Sequence, residues 1–266
     1  MKKLCSLVIC IMALLFAACK PNAPEFIGVF SVSATKQVTF SSGNLQYHPA
    51  NNEWRFAEKQ TDYIGDANSN CSSTYNGWLD LFGWSTSATN FGVSTSTNYN
   101  DYSGSFVDWG INTIGNDAPN TWRTLTRDEW EYLLENRNNA SSLRGVAQVN
   151  GVNGLIFLPD TWTCPAGVTF KSGFHSSYGA EYYAAYQTFT AYQWSKLEKS
   201  GAVFLPAAGF RYGPIVTFVQ NFSYYCSATE FNSNYAFYLG FGPVGASMSY
   251  DYRDGGHSVR LVKDIQ

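Results

Sequence analysis

The sequence predicts an α+β domain made of short antiparallel strands, two main helices and long irregular loops. Apolar and polar residues alternate in several short segments, and two other segments combine helical spacing with a helix-capping pattern. Between them, residues 62–120 are rich in Gly, Ser, Asn and Thr. Short strands that do not alternate regularly with helices favour an α+β arrangement over a parallel sheet.

Strand patterns dominate the beginning of the domain. Residues 27–57, "IGVFSVSATKQVTFSSGNLQYHPANNEWRFA", alternate apolar and polar side chains, with turn residues at "SSG" and "ANN". This pattern predicts three strands. In residues 62–120 we expect irregular structure anchored by aromatic residues, namely Trp78, Trp84 and Trp109.

Two helices follow from local signals. In "LTRDEWEYLLENR", Thr126 and Glu129 have the capping-box spacing, in which each side chain satisfies a free backbone N–H at the helix start. A buried stripe at i, i+3, i+4 and i+7 follows, formed by Trp130, Leu133, Leu134 and Arg137.

The second helix is predicted in "TAYQWSKLEKSG". Thr190 and Gln193 repeat the capping spacing, Trp194 and Leu197 face inward, and Gly201 ends the helix. Further strands are predicted at 155–160, 202–210, "YAFYLGF" and "HSVRLV".

The start of the chain resembles the signal sequence of a bacterial lipoprotein. Lys2 and Lys3 precede thirteen mostly apolar residues, and two alanines stand directly before Cys19. The resemblance implies a signal peptide over 1–18, acylation of Cys19, a tether over 19–27 and a domain over 28–266. It also implies an outer-membrane location, with the lipid as the membrane contact. The alternative is an ordinary secreted protein in which the position of Cys19 after two alanines is a coincidence.

Composition limits the classes of partner. Charged residues make up 14% of the chain and aromatic residues 17%. Without Lys2 and Lys3 the net charge is about −5, and no basic cluster is present, so nucleic acid is a poor partner. A surface rich in Tyr, Asn, Ser and Gly suits contact with a protein or a glycan.

Several segments together resemble one enzyme superfamily. "WRTLTRDEWEYLLENR", "FLPAAGFRYG" and the closing "GGHSVRLV" resemble the formylglycine-generating-enzyme (sulfatase-modifying-factor) superfamily, and other segments resemble Bacteroidales lipoproteins with this domain. The resemblance covers residues 28–266. It implies a C-type-lectin-like fold in its formylglycine-generating-enzyme variant, although a fold alone does not determine function.

The activities of these relatives are not expected here. Formylglycine-generating enzymes bind copper through two cysteine thiols late in the domain. In the late part of this sequence Cys226 is the only cysteine, so the resemblance does not extend to that copper site. Calcium-dependent lectins bind sugar through several acidic and amide side chains, but this chain offers only "LPD" at 158–160. We therefore expect no cofactor and no metal site.

No catalytic residue is predicted. His48, His175 and His257 are isolated in sequence and are expected in turns or at the surface. Cys71, Cys164 and Cys226 lack a C-x-x-C spacing, which leaves one disulfide or three free thiols open. Acidic residues distant in sequence could still meet in space, so hydrolysis stays a third hypothesis.

The late segment carries the predicted ligand face. Its uncharged side chains offer large contact areas and adaptable hydrogen bonds, although ordinary aromatic packing would explain them almost as well. The residues expected to face outward and bind are Tyr224, Tyr225, Phe231, Asn232, Asn234, Tyr238, Tyr250, Asp251 and Tyr252. The residues expected in the buried scaffold are Trp130, Trp194, Val259 and Leu261.

The resemblance adds a hypothesis about variation. Domains of this kind resemble target proteins of diversity-generating retroelements, which randomise adenines in the last segment of a gene. AAC and AAT codons then never yield Lys, Glu, Gln, Met or Trp. These five types account for 37 of the 266 residues, yet residues 221–254 hold only Glu230 and Met248.

Three functional hypotheses result. The leading one is an outer-membrane or cell-surface lipoprotein that binds a protein or a glycan through its late segment, and its orientation towards the medium or the periplasm is open. The second is a structural or assembly subunit of a surface fibre, and the third is an enzyme that acts on glycans.

Overall fold

The computed structural model describes residues 28–265, which form mostly short strands with a few short helices in an α+β arrangement. The predicted signal peptide (1–18), Cys19 and the tether (19–27) lie outside the described residues. Within residues 28–265, no helix is both long enough and apolar enough to cross a membrane.

The described residues contain fourteen strands in five small sheets. The strands are β1 Phe30–Ser31, β2 Gln37–Phe40, β3 Leu45–His48, β4 Glu53–Phe56, β5 Arg144–Val149, β6 Val152–Phe157, β7 Thr188–Phe189, β8 Val203–Pro206, β9 Phe210–Tyr212, β10 Ile215–Thr217, β11 Ser223–Glu230, β12 Tyr235–Gly242, β13 Gly245–Tyr252 and β14 Val262–Asp264. The sheet orders are β1-β2-β14, β3-β4, β7-β5-β6-β8, β10-β9 and β11-β12-β13. Among these strand pairs, β5 and β7 run parallel and the others are antiparallel.

The helices are α1 Arg127–Glu131, α2 Glu181–Tyr186 and α3 Ala191–Lys199. Both predicted capping boxes are present, one at the start of α1 and one at the start of α3. Helix α1 continues as a π-helical turn over Tyr132–Asn136. The predicted stripe from Trp130 to Arg137 is buried, as are Trp194 and Leu197. The short helix α2 was not predicted.

The beginning of the domain contains four strands, so the prediction of three was wrong. The missed turn lies between β1 and β2, where the Ser33 hydroxyl accepts hydrogen bonds from the backbone N–H groups of Thr35 and Lys36. A serine that caps its own turn in this way competes with strand pairing.

Residues 62–120 are irregular, as predicted. They contain 3₁₀ turns at Gly65–Asn70, Tyr99–Tyr102 and Trp109–Ile111. Trp84 and Trp109 are fully buried, and their indole N–H groups donate to the backbone oxygens of Ser227 and Phe91, both at 2.9 Å. Trp84 therefore ties the irregular chain to β11, and Trp109 holds two parts of the irregular chain together.

Strand β12 lies between two hydrophobic clusters. Leu239 and Phe241 pack on one side with Trp130 of α1, and Ala236 and Tyr238 pack on the other side with Trp84 and other aromatic residues. A third cluster surrounds Trp194 of α3. Both faces of β12 are thus covered over much of its length.

The closing segment differs in part from the prediction. Residues 257–261 were expected to be a strand, but regular pairing begins only at β14. Ser258 instead bridges to Tyr225, and the backbone oxygens of Val259 and Leu261 accept hydrogen bonds from Leu45 and Ser41. Val259 and Leu261 are fully buried, as predicted.

Candidate functional site: an exposed aromatic cluster

Six aromatic side chains meet at one end of the β11-β12-β13 sheet. The pairing register places Tyr235 opposite Tyr252 and Phe237 opposite Tyr250, so these four side chains share one face. Phe231 follows the end of β11, and Tyr99 is brought in from the 3₁₀ turn at Tyr99–Tyr102. The aromatic cluster is defined as Tyr99, Phe231, Tyr235, Phe237, Tyr250 and Tyr252.

The rings of the aromatic cluster contact one another in a continuous series. Tyr99 stacks on Tyr252 with ring centroids 5.1 Å apart, and Tyr252 lies 4.5 Å from Tyr235. Tyr235 meets Tyr250 edge to face at 5.7 Å, and Tyr250 stacks on Phe231 at 4.2 Å. Such contacts hold each ring in place before any ligand arrives.

The aromatic cluster is open to solvent. Tyr250 is 53% exposed, Phe231 44% and Tyr99 37%. Soluble proteins usually bury large rings or scatter them singly, and a contiguous exposed group marks a contact surface. The cluster therefore has the physical character of a binding site.

Tyrosine hydroxyls give the aromatic cluster a polar side. Hydrogen bonding with the Tyr252 side chain raises the pKa of Tyr235 to about 12 and raises the pKa of Tyr99 as well. Both hydroxyls are therefore protonated at neutral pH and able to donate or accept hydrogen bonds.

The loop beside the aromatic cluster is held by a buried arginine. The Arg253 guanidinium donates to the backbone oxygen of Asn232 at 2.5 Å and pairs with Glu230 at 2.8 Å. It also donates to the backbone oxygens of Tyr102 and Gly104, at 3.3 and 3.1 Å. Arg253 thereby fixes the loop after β11 against the segment that carries Tyr99.

Five of the predicted face residues lie together at this end of the sheet. Phe231, Tyr250 and Tyr252 belong to the aromatic cluster, and Asn232 and Asn234 are exposed on the adjacent loop. The Asn232 side chain accepts hydrogen bonds from the backbone N–H groups of Asn234 and Tyr235, which gives the loop a defined shape.

Two predicted face residues are buried, and for these the prediction was wrong. Tyr225 lies in the core with Leu239, and its hydroxyl donates to the backbone oxygen of Pro206 at 3.2 Å. Tyr238 is fully buried and stacks on His257 with centroids 4.0 Å apart. The predicted strand "YAFYLGF" places Tyr238 on the face opposite to Leu239, but residues distant in sequence cover that second face as well.

Tyr224 and Asp251 lie on the opposite face of the sheet from the aromatic cluster. The Tyr224 ring passes over Gly240, where an added Cβ would lie 3.0 Å from the ring. Phe210 contacts Tyr224 at 5.2 Å and stacks on the exposed Phe218 at 5.5 Å. Tyr224 is half-buried in this second group, so the nine predicted residues do not form one surface.

Beneath Asp251 lies a buried histidine. His257 was expected in a turn or at the surface, but its side chain is completely buried, and its Nε2 is 3.7 Å from an Asp251 oxygen. Burial, with the positive charge of Arg211 as a second cause, lowers the pKa of His257 to about 3. The imidazole is therefore neutral at physiological pH and out of reach of a ligand in this conformation.

His48 is also buried, contrary to prediction, and it packs edge to face on Trp78 at 5.2 Å. Cys71, Cys164 and Cys226 are free thiols, and Cys226 fills a position in the second core cluster. In the part of the chain that the structure describes, no three His, Cys, Asp or Glu side chains are placed to hold a metal ion.

Three members of the aromatic cluster were missed from the sequence. Tyr235 lies in the same late segment and on the same side of its strand as Phe237, and neither is among the nine predicted residues. The sequence could have revealed both residues, because pairing the two late strands places Tyr235 opposite Tyr252 and Phe237 opposite Tyr250. Tyr99 had no local signal, because a long-range contact alone brings it to the sheet.

The chain was compared with family models, with curated proteins and with solved structures. No family model, no curated protein and no solved structure matches it.

Proposed function

We propose that this protein is a surface lipoprotein that binds a protein or a glycan through the aromatic cluster. The observation that carries the proposal is the series of six rings in mutual contact, three of them well exposed. Burying such rings against a partner releases water from apolar surface, and aromatic residues are frequent among the side chains that dominate binding energy.

The proposal includes the finer fold and the cellular location. The sequence resemblance supports a C-type-lectin-like fold, and the α+β arrangement with long irregular segments agrees with it. The segment before residue 28 supports anchoring through Cys19 in the outer membrane. On this proposal the protein is a binding protein, and not an enzyme. A diversified late segment would give different chains different ligands.

The test compares two double variants, each of which removes two exposed aromatic rings. Wild type, a Phe231→Ala/Tyr250→Ala variant and a Tyr178→Ala/Tyr192→Ala control are applied to a glycan array and to a random peptide library. Tyr178 and Tyr192 are both 71% exposed and lie outside the aromatic cluster, so the control removes two exposed rings elsewhere.

We expect wild type and the control to bind the same probes. The cluster variant should lose at least tenfold in affinity, because hot-spot rings each contribute about 2 kcal/mol or more. Equal binding by all three proteins, or no binding to either set of probes by wild type, would refute the proposal.

A second candidate function is an assembly subunit, and the hairpin of β9 and β10 favours it. Tyr212 and Ile215 on this hairpin and Phe218 directly after it are all exposed. Sedimentation velocity of wild type against Ile215→Asp tests this function. Concentration-dependent association that is lost in the variant supports it, and a monomer at all concentrations rejects it.

A further inference from the structure

Strand β13 has a free edge. It is the last strand of the β11-β12-β13 sheet and pairs with β12 on one side. Among residues 28–265, no strand pairs with its other side. Ser247, Ser249 and Tyr250 are exposed along this strand.

The direction of the backbone groups follows from the pairing. The Tyr224 oxygen accepts from Ser258, and the Cys226 N–H donates to the Ser258 oxygen, so Tyr224 and Cys226 face away from β12. Antiparallel ladders alternate residue by residue, so Tyr225 and its partner Leu239 are bonded to each other. The next residue of β12, Gly240, must therefore bond towards β13.

The same alternation continues into β13. Ser247, opposite Gly240, and Ser249, opposite Tyr238, bond inward. The N–H and C=O groups of Ala246, Met248 and Tyr250 consequently point to the free edge. None of these three residues makes a backbone hydrogen bond outside the β12 ladder within the described chain.

Apart from the carboxylate of Asp251, this edge lacks the features that usually prevent strand addition. Natural edge strands carry lysine, proline or a bulge that blocks pairing with another chain. The sequence "GASMSYDY" contains no lysine or proline, and the β12–β13 register runs without interruption from Gly245 to Tyr252. An unprotected edge of eight residues is competent to accept another strand.

The side chains beside the edge differ between its two faces. On one face, the Tyr250 ring belongs to the aromatic cluster. On the other face lie the small exposed Ser247 and Ser249 and the partly exposed carboxylate of Asp251. No lysine or arginine of residues 28–265 lies within salt-bridge distance of Asp251, and its histidine neighbour is neutral.

We propose that the ligand of the aromatic cluster is an extended polypeptide segment that pairs with the free edge of β13. This inference rests on the proposed function and names the class of its ligand. Outward amides on β13 recur every second residue, about 6.8 Å apart, which matches a polypeptide backbone. The added strand places alternate apolar side chains against the aromatic cluster, and a lysine or arginine on its other face pairs with Asp251.

The probe is a random twelve-residue peptide library displayed on phage and selected on the immobilised protein. The dominant selected peptide is then synthesised, and its affinity is measured for wild type, Ala246→Pro and Ala246→Val. Proline removes one outward N–H and leaves the β12 ladder intact, whereas valine keeps that N–H. Thermal melts of both variants establish that they are folded.

We expect selected peptides that alternate apolar residues and carry a basic residue between them. Ala246→Pro should lower affinity at least tenfold, and Ala246→Val should stay within threefold of wild type. Hydrogen exchange should slow at the amides of Met248 and Tyr250 when the peptide is bound. If Ala246→Pro does not fold, the exchange result on wild type decides alone.

The outcomes separate this inference from the proposed function. A selected peptide that leaves the Met248 and Tyr250 amides unprotected overturns strand addition. Binding of glycans alone, with loss in Phe231→Ala/Tyr250→Ala, overturns strand addition and keeps the proposed function. If wild type selects no peptide and binds no glycan, both are overturned.

Discussion

Replacing Tyr238 by alanine should strongly destabilise the fold, although sequence alternation places this residue on the ligand face. Its ring is fully buried and stacks on His257 at 4.0 Å. Truncating a buried aromatic residue to alanine costs about 3–5 kcal/mol, because packing is lost and a cavity remains. That cost is a large fraction of the total stability of a typical domain.

Two further variants separate the loss of the buried Tyr238 ring from the loss of its hydroxyl and from the loss of an exposed ring. The Tyr238 hydroxyl donates to the Tyr252 oxygen at 3.4 Å, and that oxygen already accepts from the Gly255 N–H at 3.1 Å. Tyr238→Phe should therefore cost only about 0.5–1 kcal/mol. Tyr250→Ala, on the neighbouring strand, removes a half-exposed ring and its stacking contact with Phe231. This should lower the free energy of unfolding by about 0.5–1.5 kcal/mol.

Urea unfolding followed by tryptophan fluorescence measures all three variants. Tyr238→Ala should have the lowest free energy of unfolding of the three variants. Tyr238→Phe should be as stable as Tyr250→Ala or more stable. The dependence of the free energy of unfolding on urea concentration should be the same in all of them. If Tyr238→Ala unfolds at the same urea concentration as Tyr250→Ala, the covered second face of β12 is refuted.

Four further predictions concern other parts of the chain. Thr126→Ala removes the capping box of α1 and should lower the free energy of unfolding by about 1 kcal/mol, which urea titration checks. The buried His257 binds fewer protons folded (pKa about 3) than unfolded (about 6.5), so it should make stability fall as pH drops from about 6.5 towards 3. Burial raises the pKa of Asp80 to about 6, so this residue makes stability rise as the pH falls from about 6 to 3.8 and opposes the effect of His257. Urea titrations of wild type and His257→Phe across this pH range therefore isolate the contribution of the histidine. Parallel stability curves for the two proteins would contradict the prediction. Cells fed clickable palmitate should label the wild-type protein and not Cys19→Ala. The purified protein should leave a Cys-x-Pro-x-Arg peptide unconverted to the aldehyde, as mass spectrometry would show.

Features that depend on neighbouring residues could be predicted from the sequence. Both capping boxes follow from a threonine and an acceptor three residues later, and both form. The buried stripe behind Trp130 follows from helical spacing alone. The turn at Ser33 has an equally local cause and could have been predicted from the hydroxyl beside a short polar run.

Features that depend on distant contacts could not be predicted in this way. Whether Tyr238 faces solvent is decided by Trp84 and its neighbours, which lie about 150 residues earlier in the chain. Strand alternation specifies two faces but gives no information on what covers each of them. The burial of His257 and the recruitment of Tyr99 depend on the same long-range packing.

The contacts of Arg253 have a consequence for how this surface can evolve. Its guanidinium holds three neighbouring residues through their carbonyl oxygens, which every amino acid possesses. Asn232 is one of them, and the backbone N–H of Arg253 binds the carbonyl oxygen of Asn234. Ser233 lies exposed between these two residues, and the anchor does not recognise its side chain, so inherited changes at Ser233 alter the contact surface while the architecture persists. Foldability is thereby encoded in the backbone of this loop and in the Asn232 amide, and specificity in the side chain beside them.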